Sequence, residues 1–332
     1  MFITEFSKLT VTPKRFRPSR VLPNELQYML SPVTYKEDEK PFVPFFWHVP
    51  KAAGSYVRKV CSEGYSLKPQ ADLGQPEKVD MLARRMHGQS KTLSDISEAK
   101  KQCKKFVISS ILNLKFFKSC VLKLSLSKPE HTCLPNCLGF IQTPLLYEAS
   151  KVFMKTPKKA RVATLLRDPV ERFISLYTYL KTATWEPTYN PTNLTLNEYI
   201  LTGEYKKSSD NGNWMVCTLS QCGKSKNNPT TEEDLNIAKQ VMSNMLVGFT
   251  NNIQEFFDRL EPYWHIPKYL RQRARHGAMK EKINVQKSNS KKPKLSYQAA
   301  SVLHRSLSHD IKLYNFAKDV LWKEQLHLFK TS

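Results

Sequence analysis

Three short apolar runs lie between polar segments, and each predicts a buried β-strand. They are PFVPFFWHV (41–49), RVATLL (161–166) and LVGFT (246–250). Runs of this length, rich in aromatic and branched residues, are typical of strands that are covered on both faces.

Segments with helical periodicity follow the first two strands. Ser55 is placed to cap a helix over YVRKVC, while Asp168 is placed to cap a second helix with Pro169 at its first position. The second helix has one apolar face, which contains Phe173, Leu176, Tyr177 and Leu180.

Further helices are predicted around the third strand and at the C-terminal end. They cover 231–245, 251–260 and 296–321, the last with a break and a new cap near Ser308. Strands that alternate with helices predict an α/β fold with a central parallel sheet.

The domain organisation is predicted from composition. We expect residues 1–40, rich in proline and charge, to form an extended N-terminal arm, and residues 41–330 to form one domain. The segment 100–138 has one acidic residue and four of the seven cysteines. It is either a basic amphipathic insertion or a gene-model artefact.

The charge predicts an anionic partner. The 52 basic and 29 acidic side chains give a formal charge of +23. A nucleotide, an acidic or sulfated polymer, a membrane surface or a nucleic acid would all fit. The stretch 271–294, with nine Lys or Arg and one Glu, is either a solvated loop or part of such a surface.

The cysteines do not predict a metal site, because neither Cys133/Cys137 nor Cys217/Cys222 has His or Cys partners at zinc-finger spacing. One or two disulfides are expected if the protein is luminal. No apolar run reaches the length that spans a bilayer, and the N-terminus lacks the apolar core of a signal peptide. The sequence therefore predicts a soluble protein.

The loop after the first strand is a candidate anion site. A strand that ends in a tight loop and then begins a helix presents backbone N–H groups to an anion. Gly54 allows close backbone approach, and Lys51 adds a positive charge. The kinase-type order G-x-x-x-x-G-K-[ST] is absent, and an ordinary strand–turn–helix is the alternative.

A second candidate follows the strand at 161–166. Arg167 ends that strand and Ser175 lies two turns into the next helix, so both side chains could reach one anion. The alternative is structural, with a basic residue (Arg167 or Arg172) paired to an acidic one (Asp168 or Glu171).

Together the two stretches resemble sulfotransferases that use 3′-phosphoadenosine 5′-phosphosulfate (PAPS), particularly the carbohydrate group related to heparan and uronyl 2-O-sulfotransferases. The family loop H-x-P-K-x-x-G-S/T and segment L-R-D-P-V-E-R-F-x-S-x-Y match 48–55 and 166–177. Looser matches extend the similarity over about 43–65 and 140–322, and TWEPTYNP (184–191) is similar to sulfotransferase-domain proteins of diatoms and algae.

The resemblance implies a P-loop NTPase-like three-layer fold with a central parallel sheet, and sulfuryl transfer from PAPS to a hydroxyl without a metal. It implies a glycan acceptor, no nucleic-acid partner and a Golgi or secretory location; the cytoplasm stays an alternative, and the oligomeric state is open. The residues expected to bind the donor are Pro50, Lys51, Ala52, Ala53, Gly54, Ser55, Tyr56, Arg167, Ser175, Lys291 and Lys292.

Catalysis is assigned to Lys51, which would stabilise the leaving phosphate, and to His87 in MHGQS, which would serve as the base. Two departures from the family pattern bear on activity. Cys217 stands where the family commonly has Arg, and His87 precedes its neighbouring Gly instead of following it.

Three other functions remain as alternatives. A degenerate sulfotransferase fold could bind nucleotide without catalysis. A basic protein could bind polyanions through 271–294. A P-loop phosphotransferase is disfavoured, because the Gly-Lys-Ser/Thr order is missing.

Overall fold

The computed structural model describes residues 22–34, 42–69, 139–153, 159–182, 193–207, 212–222, 230–279 and 293–329. Within these ranges five strands form a parallel sheet in the order β2-β3-β1-β4-β5. They are β1 (Phe42–Trp47), β2 (Lys68–Pro69), β3 (Gly139–Thr143), β4 (Lys159–Leu166) and β5 (Leu246–Phe249). The predicted α/β fold with a parallel sheet is confirmed.

The described helices connect and cover these strands. They are α1 (Asn24–Gln27), α2 (Gly54–Lys59), α3 (Leu146–Phe153), α4 (Pro169–Thr182), α5 (Leu196–Leu201), α6 (Trp214–Ser220), α7 (Glu232–Met242), α8 (Ile253–Tyr263), α9 (Lys268–His276), α10 (Tyr297–Ser306), α11 (Ser308–Phe316) and α12 (Trp322–Phe329). A π-helical turn, Val60–Gly64, continues α2, and another, Ala317–Leu321, joins α11 to α12. Short 3-10 segments lie at Glu204–Lys207 and Thr250–Asn252.

The sheet has a separate hydrophobic core on each face, because successive side chains of a strand point to opposite sides. Phe45 and Trp47 of β1 pack with α3, α6, α7 and α11 on one face. Phe46 packs with α2, α8 and α9 on the other. A third cluster joins the inner side of α4 to α5 and α10.

The order of the strands creates a switch point between β1 and β4. The chain leaves β1 towards β2 on one side of the sheet, and it leaves β4 towards β5 on the other side. In open parallel sheets, ligands bind outside the carboxyl ends of the strands where the winding direction reverses. The loop after β1 and Arg167 after β4 both lie at this position.

The sequence predicted the start of a helix correctly where a side chain caps that helix. Asp168 Oδ1 accepts the N–H groups of Val170 and Glu171, each at 3.0 Å, as predicted. The prediction for Ser55 is wrong: Ala53 precedes the first turn of α2, and Ser55 lies inside it. A break does fall before Ser308, but Leu307 occupies the cap position without a side-chain bond.

Part of the expected N-terminal arm is packed and not extended. Leu26 and Met29 are fully buried, and Leu30 bridges to Ala160 of β4. Within the described ranges, no helix combines the length and apolar character needed to cross a membrane.

Several predictions lie outside the described residues. These concern residues 1–21 and 35–40 of the arm, the segment 100–138, His87, TWEPTYNP (184–191), and residues 280–292 of the basic stretch with Lys291 and Lys292.

Candidate functional site

The loop between β1 and α2 has an unusual backbone. Lys51 and Ala53 have φ values of 65° and 60°, while Ala52 between them stays at negative φ. Left-handed backbone costs a non-glycine residue about 1–2 kcal/mol. When successive residues alternate between left- and right-handed backbone, their N–H groups turn inward and form a concave anion-binding nest. No described residue accepts a hydrogen bond from the N–H of Ala53, Gly54 or Ser55.

Gly54 is required because the imidazole of His48 lies against it. A Cβ at position 54 would be 2.2 Å from both Cδ2 and Nε2 of His48. The ring of His48 in turn stacks on Phe46 of β1, with ring centroids 6.4 Å apart. The sequence suggested that Gly54 allows an anion to approach the backbone closely. The structure shows that the space beside Gly54 is taken by His48.

Arg167 connects the second motif to the first. Its Nη1 makes a long contact of 3.5 Å with the carbonyl oxygen of Lys51. Its Nε lies 3.4 Å from Oε2 of Glu171, one turn along α4. The ion pair with an acidic residue at the helix start, the structural alternative for Arg167, is therefore present as well. The Glu171 carboxylate is exposed, and Arg167 still lies beside the loop. Such an exposed pair contributes little stability.

The side chain of Lys51 crosses to α4. Its Nζ lies 4.0 Å from the ring centroid of Tyr179, in cation–π geometry. Burial lowers the pKa of the Lys51 ammonium, and the neighbouring charge of Arg167 lowers it further. Ser175 lies on α4 between Glu171 and Tyr179 at four-residue spacing, so it belongs to the same helix face.

A buried network supports the loop from below. Trp47, the last residue of β1, stacks on Trp214 at the start of α6, with centroids 5.8 Å apart. The guanidinium of Arg172 lies 5.8 Å from the Trp214 ring. Asp310 accepts the N–H groups of Met215 and Val216 at 3.1 and 2.9 Å. These contacts fix α6 against the strand end that carries the loop.

Burial raises the pKa of the Asp310 carboxyl to about 6. The charge of Arg172 and the two N–H groups from α6 act in the opposite direction and lower it. Asp310 is therefore a buried acid with a raised pKa.

Gln142 of β3 is a buried amide that the sequence did not single out. Its Nε2 makes a long contact of 3.5 Å with the carbonyl oxygen of Gly54, and the side chain is fully buried. Its Oε1 has no hydrogen-bond partner among the described residues. Gln142 therefore holds the first turn of α2 against the sheet.

The other residues predicted to bind the sulfate donor differ in how exposed they are. Ala52 is buried in the core, and its N–H donates to Val49. The Tyr56 hydroxyl donates to the carbonyl oxygen of Met279 at 2.9 Å, so it links α2 to the segment that follows α9. Pro50 is half-buried and Ser55 is exposed at the mouth of the loop.

The region around Cys217 is held by covalent and polar contacts. Cys217 forms a disulfide with Cys222, a pairing that the sequence did not specify. Oδ1 of Asn213 accepts the N–H groups of His309 and Asp310 at 3.0 and 2.9 Å, so the start of α6 is tied to α11. Among the residues that the structure describes, no group of three His, Cys, Asp or Glu side chains could hold a metal ion.

Comparison of the chain with models of known protein families and with curated proteins gives no significant match.

Proposed function

We propose that the chain is a PAPS-dependent sulfotransferase with a P-loop-like fold, which transfers a sulfuryl group to a hydroxyl of a glycan. The observation that carries this proposal is that the two sequence motifs, 116 residues apart at Lys51 and Arg167, meet at the switch point of the sheet. Their contact is 3.5 Å, between Arg167 Nη1 and the Lys51 carbonyl.

The loop suits the 5′-phosphosulfate of the donor. The N–H groups of Ala53, Gly54 and Ser55 have no acceptor among the described residues, and a helix N-terminus adds a favourable dipole for an anion. Lys51 adds a formal charge beside them. Arg167 and Ser175, on the adjoining strand end and helix, are assigned to the 3′-phosphate.

The proposed reaction is an in-line displacement. The acceptor oxygen forms a bond to sulfur, the bond from sulfur to the bridging oxygen breaks, and its electron pair stays on the 5′-phosphate. Lys51 and the loop N–H groups stabilise this charge. The acceptor proton passes to a base, which the family resemblance assigns to His87.

The exposed side of α9 supports an anionic acceptor. Lys268, Tyr269 and Arg273 are exposed there, and the helix contains no acidic residue. The bond from Tyr56 to Met279 places the residues that follow α9 beside the first turn of α2. A surface of basic and aromatic side chains would fit an acidic polysaccharide that extends from the loop.

We propose that the protein is located in the secretory pathway. Disulfides such as Cys217–Cys222 persist mainly in oxidising compartments, and the family resemblance favours the Golgi lumen.

A transfer assay tests the function. The protein is incubated with labelled PAPS and a panel of uronic-acid polysaccharides, neutral oligosaccharides, small alcohols and tyrosine peptides. We expect label on a polysaccharide. Lys51→Ala should reduce transfer about a hundredfold, since one lost electrostatic contact costs on the order of 3 kcal/mol in the transition state.

Lys59→Ala is the matched control, because Lys59 lies at the end of α2, the helix that follows the loop, and pairs with Glu63 at 3.7 Å. It should leave transfer unchanged. Nucleotide binding without transfer to any acceptor would instead indicate a degenerate fold. Binding of polysaccharide without nucleotide would indicate a polyanion-binding protein.

A further inference from the structure

Tyr179 is the aromatic residue that faces the Lys51 ammonium. Lys51 Nζ lies 4.0 Å from the centroid of its ring. Tyr179 is half-buried in the third turn of α4. Neither motif that carries the family resemblance contains this residue, since the second one ends at Tyr177.

The face of α4 beside the loop has a regular arrangement. Glu171, Ser175 and Tyr179 recur every four residues and therefore form one stripe along the helix. Glu171 contacts Arg167 at the start of the stripe, and Tyr179 contacts Lys51 at its end. Ser175 lies between these two contacts, so both cations border the same patch of helix surface.

Two effects act against the charge of Lys51. Burial removes water from the ammonium, and Arg167 is a like charge close by; both lower the pKa of Lys51. The face of an aromatic ring attracts a cation, and this attraction is strongest where water is excluded. The ring of Tyr179 therefore offsets part of the cost of keeping Lys51 charged in this position.

We propose that Tyr179 is a positioning residue that holds the Lys51 ammonium against α4, beside Arg167 and Ser175, and so completes one cationic pocket from both motifs. The proposal rests on the proposed function for the identity of the anion. It does not rest on it for the contact itself, and the two can be tested separately.

The contact is tested by the pH dependence of amine labelling. Full-length wild type, Tyr179→Phe and Tyr179→Leu are treated with an amine-reactive reagent over a range of pH. Labelling of Lys51 is followed by mass spectrometry, with the exposed Lys323 as a reference for reagent activity. Leu fills much of the space without a π face. In Tyr179→Leu the Lys51 midpoint should fall by about half a pH unit, and Tyr179→Phe should restore it. An unchanged or higher midpoint in the Leu variant would overturn the proposal.

The functional consequence is tested by a double-mutant cycle with adenosine 3′,5′-bisphosphate as the probe. Tyr179→Leu should weaken its binding roughly two- to thirtyfold, while Tyr179→Phe retains most of the affinity. In a Lys51→Met background, Tyr179→Leu should have no further effect, because it acts through Lys51.

The outcomes separate the two claims. Independent, additive losses would show that Tyr179 does not act through Lys51, and the proposal would fail. If the wild type binds no bisphosphate but the labelling midpoints shift as expected, the proposed donor is wrong and the positioning role stands.

Discussion

The contact between His48 and Gly54 predicts a specific effect of adding one methyl group. In Gly54→Ala the new Cβ would lie 2.2 Å from two atoms of the imidazole. Favourable carbon contacts begin near 3.5 Å, so the ring must move by more than about 1 Å. The loop is anchored on both sides of this contact, because the His48 N–H donates to Thr143 and the Gly54 carbonyl contacts Gln142.

The magnitude follows from the size of the overlap. Forcing an extra methyl group into a packed site costs about 1–3 kcal/mol. Alanine otherwise favours a helix over glycine by up to about 1 kcal/mol. We therefore expect Gly54→Ala to lower the free energy of unfolding by about 2 kcal/mol in the wild-type background, measured by urea denaturation.

The His48→Ala background is the matched control. Removing the imidazole creates space, so adding Gly54→Ala there should be neutral or stabilising. The sign of the effect thus depends on the other residue, which gives a coupling energy of about 2 kcal/mol. An equal cost in both backgrounds would refute the reasoning, since the methyl group would then be excluded by something other than His48.

Three further predictions concern the site and its supports. Arg167→Ala or Ser175→Ala should weaken binding of adenosine 3′,5′-bisphosphate much more than binding of adenosine 5′-phosphate; equal weakening in calorimetry would mean that the pair is structural. Asp310 has a pKa raised from 3.8 to about 6, so the folded protein holds the proton longer than the unfolded chain. The stability that this group contributes should fall by about 2 kcal/mol as the pH rises from 4 to 7, and a pH-independent stability difference between wild type and Asp310→Asn would contradict this. Glu261 accepts the Tyr65 hydroxyl and binds Arg275, both at 2.9 Å; Glu261→Ala should cost about 2 kcal/mol, seen as a lower Tm, and an unchanged Tm would contradict the assignment.

The elements that the sequence predicted well are those whose signals are local. The apolar run 161–166 lies within β4, and Asp168 with Pro169 marks the start of α4 correctly. The acidic residues at 232–234 begin α7 behind a capping box from Thr231. For the two helix starts the deciding hydrogen bonds lie within four residues of the chain, so the sequence pattern contains them.

Long-range contacts explain what the sequence did not reveal. Ser55 has the right chemistry for a cap, but the left-handed Ala53 starts α2 two residues earlier. The contact of Lys51 with Tyr179 joins residues in different elements, and so does the contact of Gln142 with Gly54. The four-residue spacing of Glu171, Ser175 and Tyr179 is the signal that could have drawn attention to Tyr179.

The convergence of the two motifs was predicted in part. Arg167 and Ser175 were expected to share one anion, and Lys51 was expected to act from a separate loop. The strand order places β1 beside β4, and this neighbourhood brings Lys51 to Arg167. Strand order depends on the packing of the whole sheet, which the local pattern of residues does not specify.

The central claim is that the loop after β1 and the end of β4 together bind a 3′-phosphorylated adenosine nucleotide. The most direct test is calorimetric titration of the whole chain with adenosine 3′,5′-bisphosphate. ATP and duplex DNA, titrated separately, represent the alternative ligand classes. We expect the bisphosphate to bind at least tenfold more tightly than ATP, and Arg167→Ala to remove this preference. Equal affinity for both nucleotides, or a preference for DNA, would contradict the account.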